Sequence, residues 1–372
     1  MPAFSESLRK SIATSWNAFP ARFCLHMRFH QVDPLQDPRW TRLVEQHPKA
    51  SVFHTGAWLE ALHRSYGYRP VAFTTSQPNE ELENGLLFCH VRSWLTGGRM
   101  VSLPFSDHCE PLFDSKEELR FVMQCLQADL QHRKWKYIEL RPANGSVGPD
   151  APRFGFQPCE QYYLHRMDLR PNLNEIFQGL HKDSAQRRIR HAVTSGVSCE
   201  CGRSSRLLKD FYGLLVSTRA RHRLPPQPLL WFRNLISSMK DALEIRVAYK
   251  ECVPVAAILT LRFRETVYYK YGCSNLEFKH LGAMPYLFWH AIEQSKSAGA
   301  LEFDLGRSDR DNTGLVAFKN HWARRPLDLI YWAYPEPPST KGWKMTVARR
   351  AFSWMPDRLL AATGTVIYRH FA

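Results

Sequence analysis

The chain of 372 residues has no run of about 18 unbroken apolar residues, so nothing in it is long and greasy enough for a membrane-spanning helix. Met1 to Trp16 is broken by Glu6, Arg9 and Lys10 and lacks the continuous apolar stretch of a secretory signal. Cysteine is thin and scattered: nine residues, an odd number, without the regular spacing of a disulfide framework. The one close pair, Cys199 and Cys201, has neither the spacing nor the companion ligands of a zinc site, so no metal is expected. Most of the cysteines sit in apolar surroundings, as buried free thiols do, and a reducing cytoplasm is the expected home. Acidic residues are also short, 35 Asp and Glu against 50 Lys and Arg, for a net charge of +15. Such a field attracts nucleic acid, anionic lipid, nucleotide-linked sugars or anionic cofactors without choosing among them.

What is present suits a packed globular protein: 44% hydrophobic and 13% aromatic residues, enough for two domains with separate cores. From about Arg22 the pattern alternates strands (Leu25–Val32, Arg69–Thr75, Gly85–Trp94, Arg99–Leu103, Lys136–Leu140) with helices. Thr55 is a plausible N-cap for a helix through Trp58, Leu59 and Leu62. Ser115 to His132 places Leu119, Val122, Met123, Leu126 and Leu130 on one helical face. A Pro- and Gly-rich loop, Pro142 to Pro158, separates this unit from a second one. There the strands Leu243–Lys250, Val253–Phe263 and Thr266–Cys273 form a meander flanked by helices. The expected fold is thus α/β with mixed sheets, in two related units without a residue-level repeat. The last segment, from Pro335, mixes Trp343, Phe352 and Trp354 with Lys341, Lys344, Arg349 and Arg350. It suits either a clasp on the protein itself or a foothold on an anionic membrane surface.

The densest signal lies between Pro285 and Tyr331. A helical run through Tyr286 to Gln294 stops at Ala298-Gly299-Ala300, and Leu301 to Leu305 reads as a short buried strand. Gly306 is expected to turn the chain sharply into a charged loop, followed by a short helix with Phe318-Lys319. Helix, strand, polar loop, helix is how α/β enzymes build a site at a strand's carboxyl end. At Phe303-Asp304-Leu305-Gly306-Arg307-Ser308, Gly314-Leu315, Phe318-Lys319 and Leu327 to Trp332 the chain resembles the FemAB-like branch of the GNAT acyltransferase superfamily. Trp58 and the basic run Arg187 to Ala192 before Gly196-Val197 fit the same pattern. The resemblance implies two GNAT-like domains in tandem, residues 22–161 and 162–334, after an extension (1–21) and before a helical, basic amphipathic tail (335–372). It also implies an N-acyltransferase with no tightly bound cofactor. Its co-substrate would be acyl-CoA or aminoacyl-tRNA. Its acceptor would be an amine on a peptidoglycan, exopolysaccharide or other cell-envelope precursor. It would be cytoplasmic, with the tail as a peripheral contact at the inner face of the plasma membrane.

Acyl transfer to an amine needs a neutral attacking nitrogen, a stabilised carbonyl oxygen and a protonated leaving group. The resemblance gives Lys319 the charge-stabilising role, beside Phe318. Asp304, in an apolar strand, reads as a base, a substrate-orienting group or a turn cap, and Arg307 as a holder of an anionic group. Ser102 to Pro111 is dense in polar residues between prolines, so Asp107, His108 and Glu110 are candidates to bind an amine or sugar hydroxyls or to act as base. Lys182, Arg187 and Arg190 lie on adjoining parts of one helix, with Gln186, and suit phosphates of a nucleotide sugar, lipid pyrophosphate or tRNA. The CoA-cradling loop of GNAT enzymes corresponds to Lys279-His280-Leu281-Gly282-Ala283-Met284, in which Lys279 and Gly282 are the candidate cofactor contacts. FemAB enzymes usually have a phosphate-binding lysine a turn after the first-domain Trp. Here Trp58 is followed by Leu59-Glu60-Ala61-Leu62. Two other classes fit the composition: a nucleic-acid-binding protein without chemistry, and a membrane-surface scaffold for envelope polysaccharide synthesis.

Overall fold

The computed structural model describes residues 28–93, 97–133, 135–143, 147, 150–336 and 368–370. The expected N-terminal extension and most of the tail lie outside these residues. The first unit runs β1 (His30–Val32), α1 (Pro38–Gln46), α2 (Gly56–Tyr66), β2 (Arg69–Thr74), β3 (Leu86–Ser93), β4 (Gly97–Val101), α3 (Lys116–Arg133), β5 (Ile138–Leu140) and β6 (Gln157–Asp168). Two short helices, α4 (Leu173–Gly179) and α5 (Arg187–Thr194), lead to the second unit. It runs β7 (Ser198–Gly202), α6 (Ser205–Arg221), α7 (Leu229–Met239), β8 (Leu243–Lys250), β9 (Val253–Phe263), β10 (Thr266–Ser274), α8 (Ala283–Ser297), β11 (Glu302–Asp309), α9 (Thr313–Asn320) and β12 (Leu327–Tyr334). Strand, two helices, three strands, helix, two strands: the second unit repeats the first, with α9 added between its last two strands.

All strands belong to one 12-stranded sheet in the order β1-β2-β3-β4-β5-β12-β6-β11-β10-β9-β8-β7. The order is symmetric about its centre. β12 lies between β5 and β6, and β6 lies between β12 and β11, so each unit's last strand is inserted into the other. Among the described residues only β4–β5 and β10–β11 are parallel pairs, and both are short. The expected boundary between residues 161 and 162 falls inside β6, a strand that both units use.

Local chemistry explains the element ends. Thr55 does cap α2, its hydroxyl accepting from Trp58 N at 3.3 Å, and Gly67 closes that helix in the left-handed region. β9 is buried on both faces over Val255 to Leu261, which is why it reads as a nearly unbroken apolar run. Four cores cover the sheet, the smallest of them around Tyr162, Leu164, Leu329 and Tyr331. One packs α3 with Phe73 and Phe88, and another packs α8 with Phe303 and Leu305. The third spans both units: Trp58 of α2 meets Trp231 of α7 edge-on, ring centres 5.3 Å apart, and Asn234 donates to Ser65 Oγ at 2.9 Å. Fully buried aromatic side chains of this kind contribute about 1.5–3 kcal/mol each, so the units are held together by core, not by a thin interface. No helix among the described residues is long and apolar enough to cross a membrane.

Residues 368–370 return to the junction of the units. Tyr68 OH donates to Tyr368 O at 2.9 Å, Arg99 donates to His370 O at 3.1 Å, and Tyr368 OH donates to Pro225 O at 2.9 Å. Tyr368 therefore touches the first unit with its backbone and the second with its hydroxyl, as a clasp would. Replacing Tyr368 with Ala is expected to cost about 2 kcal/mol, from one ring contact and one hydrogen bond. A chemical-denaturation midpoint equal to wild type would show that this end does not brace the fold.

Candidate active site

β10 and β11 pair only from Thr266–Glu302 to Tyr268–Asp304 and then part. Both strands are irregular just past that point. β10 shifts register against β9 between Tyr269 and Tyr271, and β11 shifts against β6 between Asp304 and Arg307. The sharp turn out of the sheet expected at Gly306 does not occur. β11 continues to Asp309 because β6 and α9 hold it, and Gly306 instead absorbs a bulge at φ 71°. A side chain there would come within 3.2 Å of Asp107 Oδ2 and 3.3 Å of Tyr269 O. Glycine is needed because another unit's loop fills that space.

That loop follows β4. Leu103 and Phe105 both have positive φ, 63° and 60°, an unusual backbone for such residues. Three contacts hold it: Ser106 Oγ and Arg141 Nη1 each donate to Leu103 O at 2.7 Å, and Tyr331 OH donates to Asp107 O at 2.6 Å. Phe105 lies among Tyr66, Trp231 and Tyr368. The result carries Asp107 and His108 from the first unit into the opening between β10 and β11 of the second.

The opening is densely charged. Asp107 accepts from Lys270 Nζ at 3.0 Å, and Arg307 Nε lies 3.9 Å from its other oxygen. Lys270 Nζ also lies over the rings of Phe53 and Trp58, 5.2 and 5.8 Å from their centres. Arg307 donates to Tyr331 OH at 2.6 Å and stacks on Tyr162. Asp304 is wholly buried and well satisfied. Gly306 N donates to Oδ1 at 2.7 Å, while His108 Nε2 and Arg166 Nε each lie 3.3 Å from Oδ2. A carboxylate only accepts, so neutral His108 carries its proton on Nε2. Nδ1 is left as a buried acceptor with no partner among the described residues. Burial pushes the Asp304 carboxyl up, but His108, Arg166 and the Gly306 N–H outweigh it and hold it below its ordinary value. Two residues earlier, burial wins at Glu302 and its carboxyl is raised despite Arg166.

Lys319 reaches β11 from the opposite side. Its ammonium donates to Gly306 O at 2.8 Å and Arg307 O at 2.7 Å, pinning the bulge. Burial lowers its pKa to about 8, against the pull of Asp107 and Asp304. Phe318 packs on Phe288 and sets the base of this side chain. The fold thus gathers Asp107, His108, Asp304, Arg307, Phe318 and Lys319 around one opening.

The other candidates lie elsewhere or have structural partners. Glu110 is buried at the foot of the loop, where its carboxylate accepts from Ala143 N at 2.6 Å. Lys182 opens a π-helical turn on the surface, Arg187 pairs with Asp183 at 3.3 Å, and Arg190 covers Phe177. Gln186 is not on a shared face with them: it is buried, donating to Leu180 O at 2.9 Å, whereas the apolar Val193 is 59% exposed. The break between the π turn and α5 rotates the two halves apart. Lys279 lies in a short turn before α8, and a side chain on Gly282 would meet Arg188 O at 2.5 Å. Gly282 therefore has a packing reason to be glycine, and it places Lys279 beside the basic face of α5. Lys270 and Arg166 were not identified by sequence reasoning. The signal for Lys270 was a lone cation in the aromatic run Val267-Tyr268-Tyr269-Lys270-Tyr271.

Residues 181–320 match the acetyltransferase (GNAT) domain family. The chain as a whole has the tandem fold of the FemAB-like branch of that superfamily. The crystal structure of FemX is similar at 14% identity, covering 83% of this chain and 97% of that one, with a TM-score of 0.63. The C-terminal domain of a putative lysylphosphatidylglycerol synthetase from Agrobacterium fabrum is similar at 12% identity, covering 88% and 95%, with a TM-score of 0.54. A tandem GNAT protein from the clavulanic acid biosynthesis pathway is similar at 9% identity, covering 82% and 98%, with a TM-score of 0.52. No curated protein matches the chain.

Two outcomes test this geometry. Gly306→Ala should cost about 1–3 kcal/mol, from the left-handed backbone and the contact with Asp107; a wild-type denaturant midpoint would refute the close approach. Asp304, with its pKa depressed from 3.8, contributes stability that is present above about pH 4 and lost as pH falls through the lower folded value. The stability advantage of wild type over Asp304→Asn should therefore shrink between pH 5 and pH 3, roughly the window that linkage sets. A constant difference across that range would mean that Asp304 is not held ionised.

Proposed function

We propose that this protein transfers an acyl or aminoacyl group from a thioester or ester donor to an amine on a cell-envelope or exopolysaccharide precursor. The observation that supports it best is the buried His108–Asp304 pair, its second imidazole nitrogen unpartnered among the described residues, beside an opening between two parting parallel strands. The donor's acyl group enters that opening. Asp107 receives the acceptor's ammonium, which gives one proton to solvent to become the attacking amine, and His108 Nδ1 takes the second proton as the nitrogen attacks. Asp304, kept ionised by Arg166 and the Gly306 N–H, stabilises the imidazolium that forms. Lys319 fixes the shape of β11 on the far side and adds positive charge there.

Lys279 follows β10 in the chain and Gly282 packs on Arg188 of α5, which supports that helix's basic face as the one to receive the donor's remaining phosphates. Acyl-CoA and aminoacyl-tRNA both present phosphates to such a face. The fold shared with FemX and with a tandem GNAT protein supports both donor classes as candidates. A cytoplasmic enzyme at the inner face of the plasma membrane would meet either.

Mass spectrometry of small molecules and glycan precursors retained by the purified protein would name the acceptor. With that acceptor, His108→Gln and Asp107→Asn should each lower turnover by about 100-fold, the lower end for a lost general base. Full turnover in both folded variants would remove the assignment.

A further inference from the structure

Lys270 is a buried cation that the mechanism above does not use. It sits on the β10 bulge, at the second position past the last β10–β11 pair, and its side chain is 7% exposed. Among the described residues its one hydrogen-bond acceptor is Asp107, which leaves further N–H donors on the ammonium. The faces of Phe53 and Trp58 wall it off from water. Lys319 is placed differently: two of its donors are committed to the backbone carbonyls of Gly306 and Arg307, behind β11.

We propose that Lys270 supplies the hydrogen bond and positive charge that receive the developing carbonyl oxygen during acyl transfer, while Lys319 holds β11 in place. This rests on the acyltransferase reading and divides between two lysines a role that the resemblance gives to Lys319. The amine nitrogen bonds to the acyl carbon, and the carbonyl π pair moves onto oxygen, where Lys270 Nζ–H meets it. The amine's proton goes to His108 Nδ1. The oxygen's pair then re-forms the carbonyl as the bond to the leaving sulfur or ribose oxygen breaks, and that atom takes the proton from His108. Nothing else is consumed. A cation in this dry, aromatic wall interacts with such an oxyanion far more strongly than it would in water. Lys270 and Arg307 against Asp107 also leave one excess positive charge for it to meet. Burial lowers the Lys270 pKa, and Asp107 offsets part of that.

The test compares Lys270→Gln, Lys270→Arg and Lys319→Met. Lys270→Gln should lower kcat about 100-fold with little change in KM, the scale of one lost oxyanion donor, and Lys270→Arg should recover part of it. A kcat within about threefold of wild type in Lys270→Gln overturns the proposal. A second measurement stands apart from turnover: calorimetric titration with methylphosphonate, a tetrahedral oxyanion. Wild type and Lys319→Met should bind it at least about tenfold more tightly than Lys270→Gln, the scale of a charge-assisted hydrogen bond. Equal affinity in wild type and Lys270→Gln, or no binding in wild type, overturns the Lys270 assignment even if acyl transfer is established. Loss of all transfer in wild type, with methylphosphonate binding that depends on Lys270, would overturn the acyltransferase reading and leave the oxyanion site standing.

Discussion

β6 and β12 are hydrogen-bonded to each other at the centre of the sheet, and each borders the other unit's strands. Everything functional depends on that exchange. It brings β11 beside β6, so that Arg166 on β6 reaches Asp304 on β11. It brings Tyr331 of β12 under the loop that follows β4, where its hydroxyl fixes Asp107. The same loop then fills the opening of the second unit. Neither unit contains the site alone: the carboxylate and the imidazole come from one, the parting strands and both lysines from the other.

Charges gathered in such a place are expensive to bury, and breaking one partner of a buried pair costs more than the pair itself contributes. The cluster is therefore poor evidence for stability and better evidence for chemistry. Its arrangement supports that. Each carboxylate has a cation and a fixed N–H or hydroxyl-bound neighbour, whereas His108 Nδ1 and part of Lys270 have no partner among the described residues. Aromatic rings, not water, surround both groups: Phe53 lies edge-on to His108 with ring centres 5.3 Å apart and faces Lys270.

Much of this was legible in the chain. The helices and strands follow from periodicity, because apolar faces must find a core; α3 and β8 to β10 lie where their patterns put them. Asp304 stood out as a carboxylate in an apolar strand, and Asp107-His108 as polar residues between prolines. What was not legible is what depends on distant pairing. Gly306 looked like an exit from the sheet because the sequence does not show that β6 waits beside it. Lys270 was hidden among tyrosines, since a lone lysine in a strand is informative only once Asp107 is known to sit opposite. Gly282 resembled a phosphate loop, although Arg188 explains it by contact.

The strand exchange also orders events while the chain is being made. When β5 and β6 have left the ribosome, the slot between them is still empty, for β12 follows all the other described strands in the chain. The first unit must then persist with an open seam, its strand edges unpaired and its loop carrying Asp107 not yet fixed by Tyr331. Closure of that seam by β12 completes the sheet and the charged cluster in one act. Nascent chains of this protein thus carry no finished site, however much of the first unit has folded.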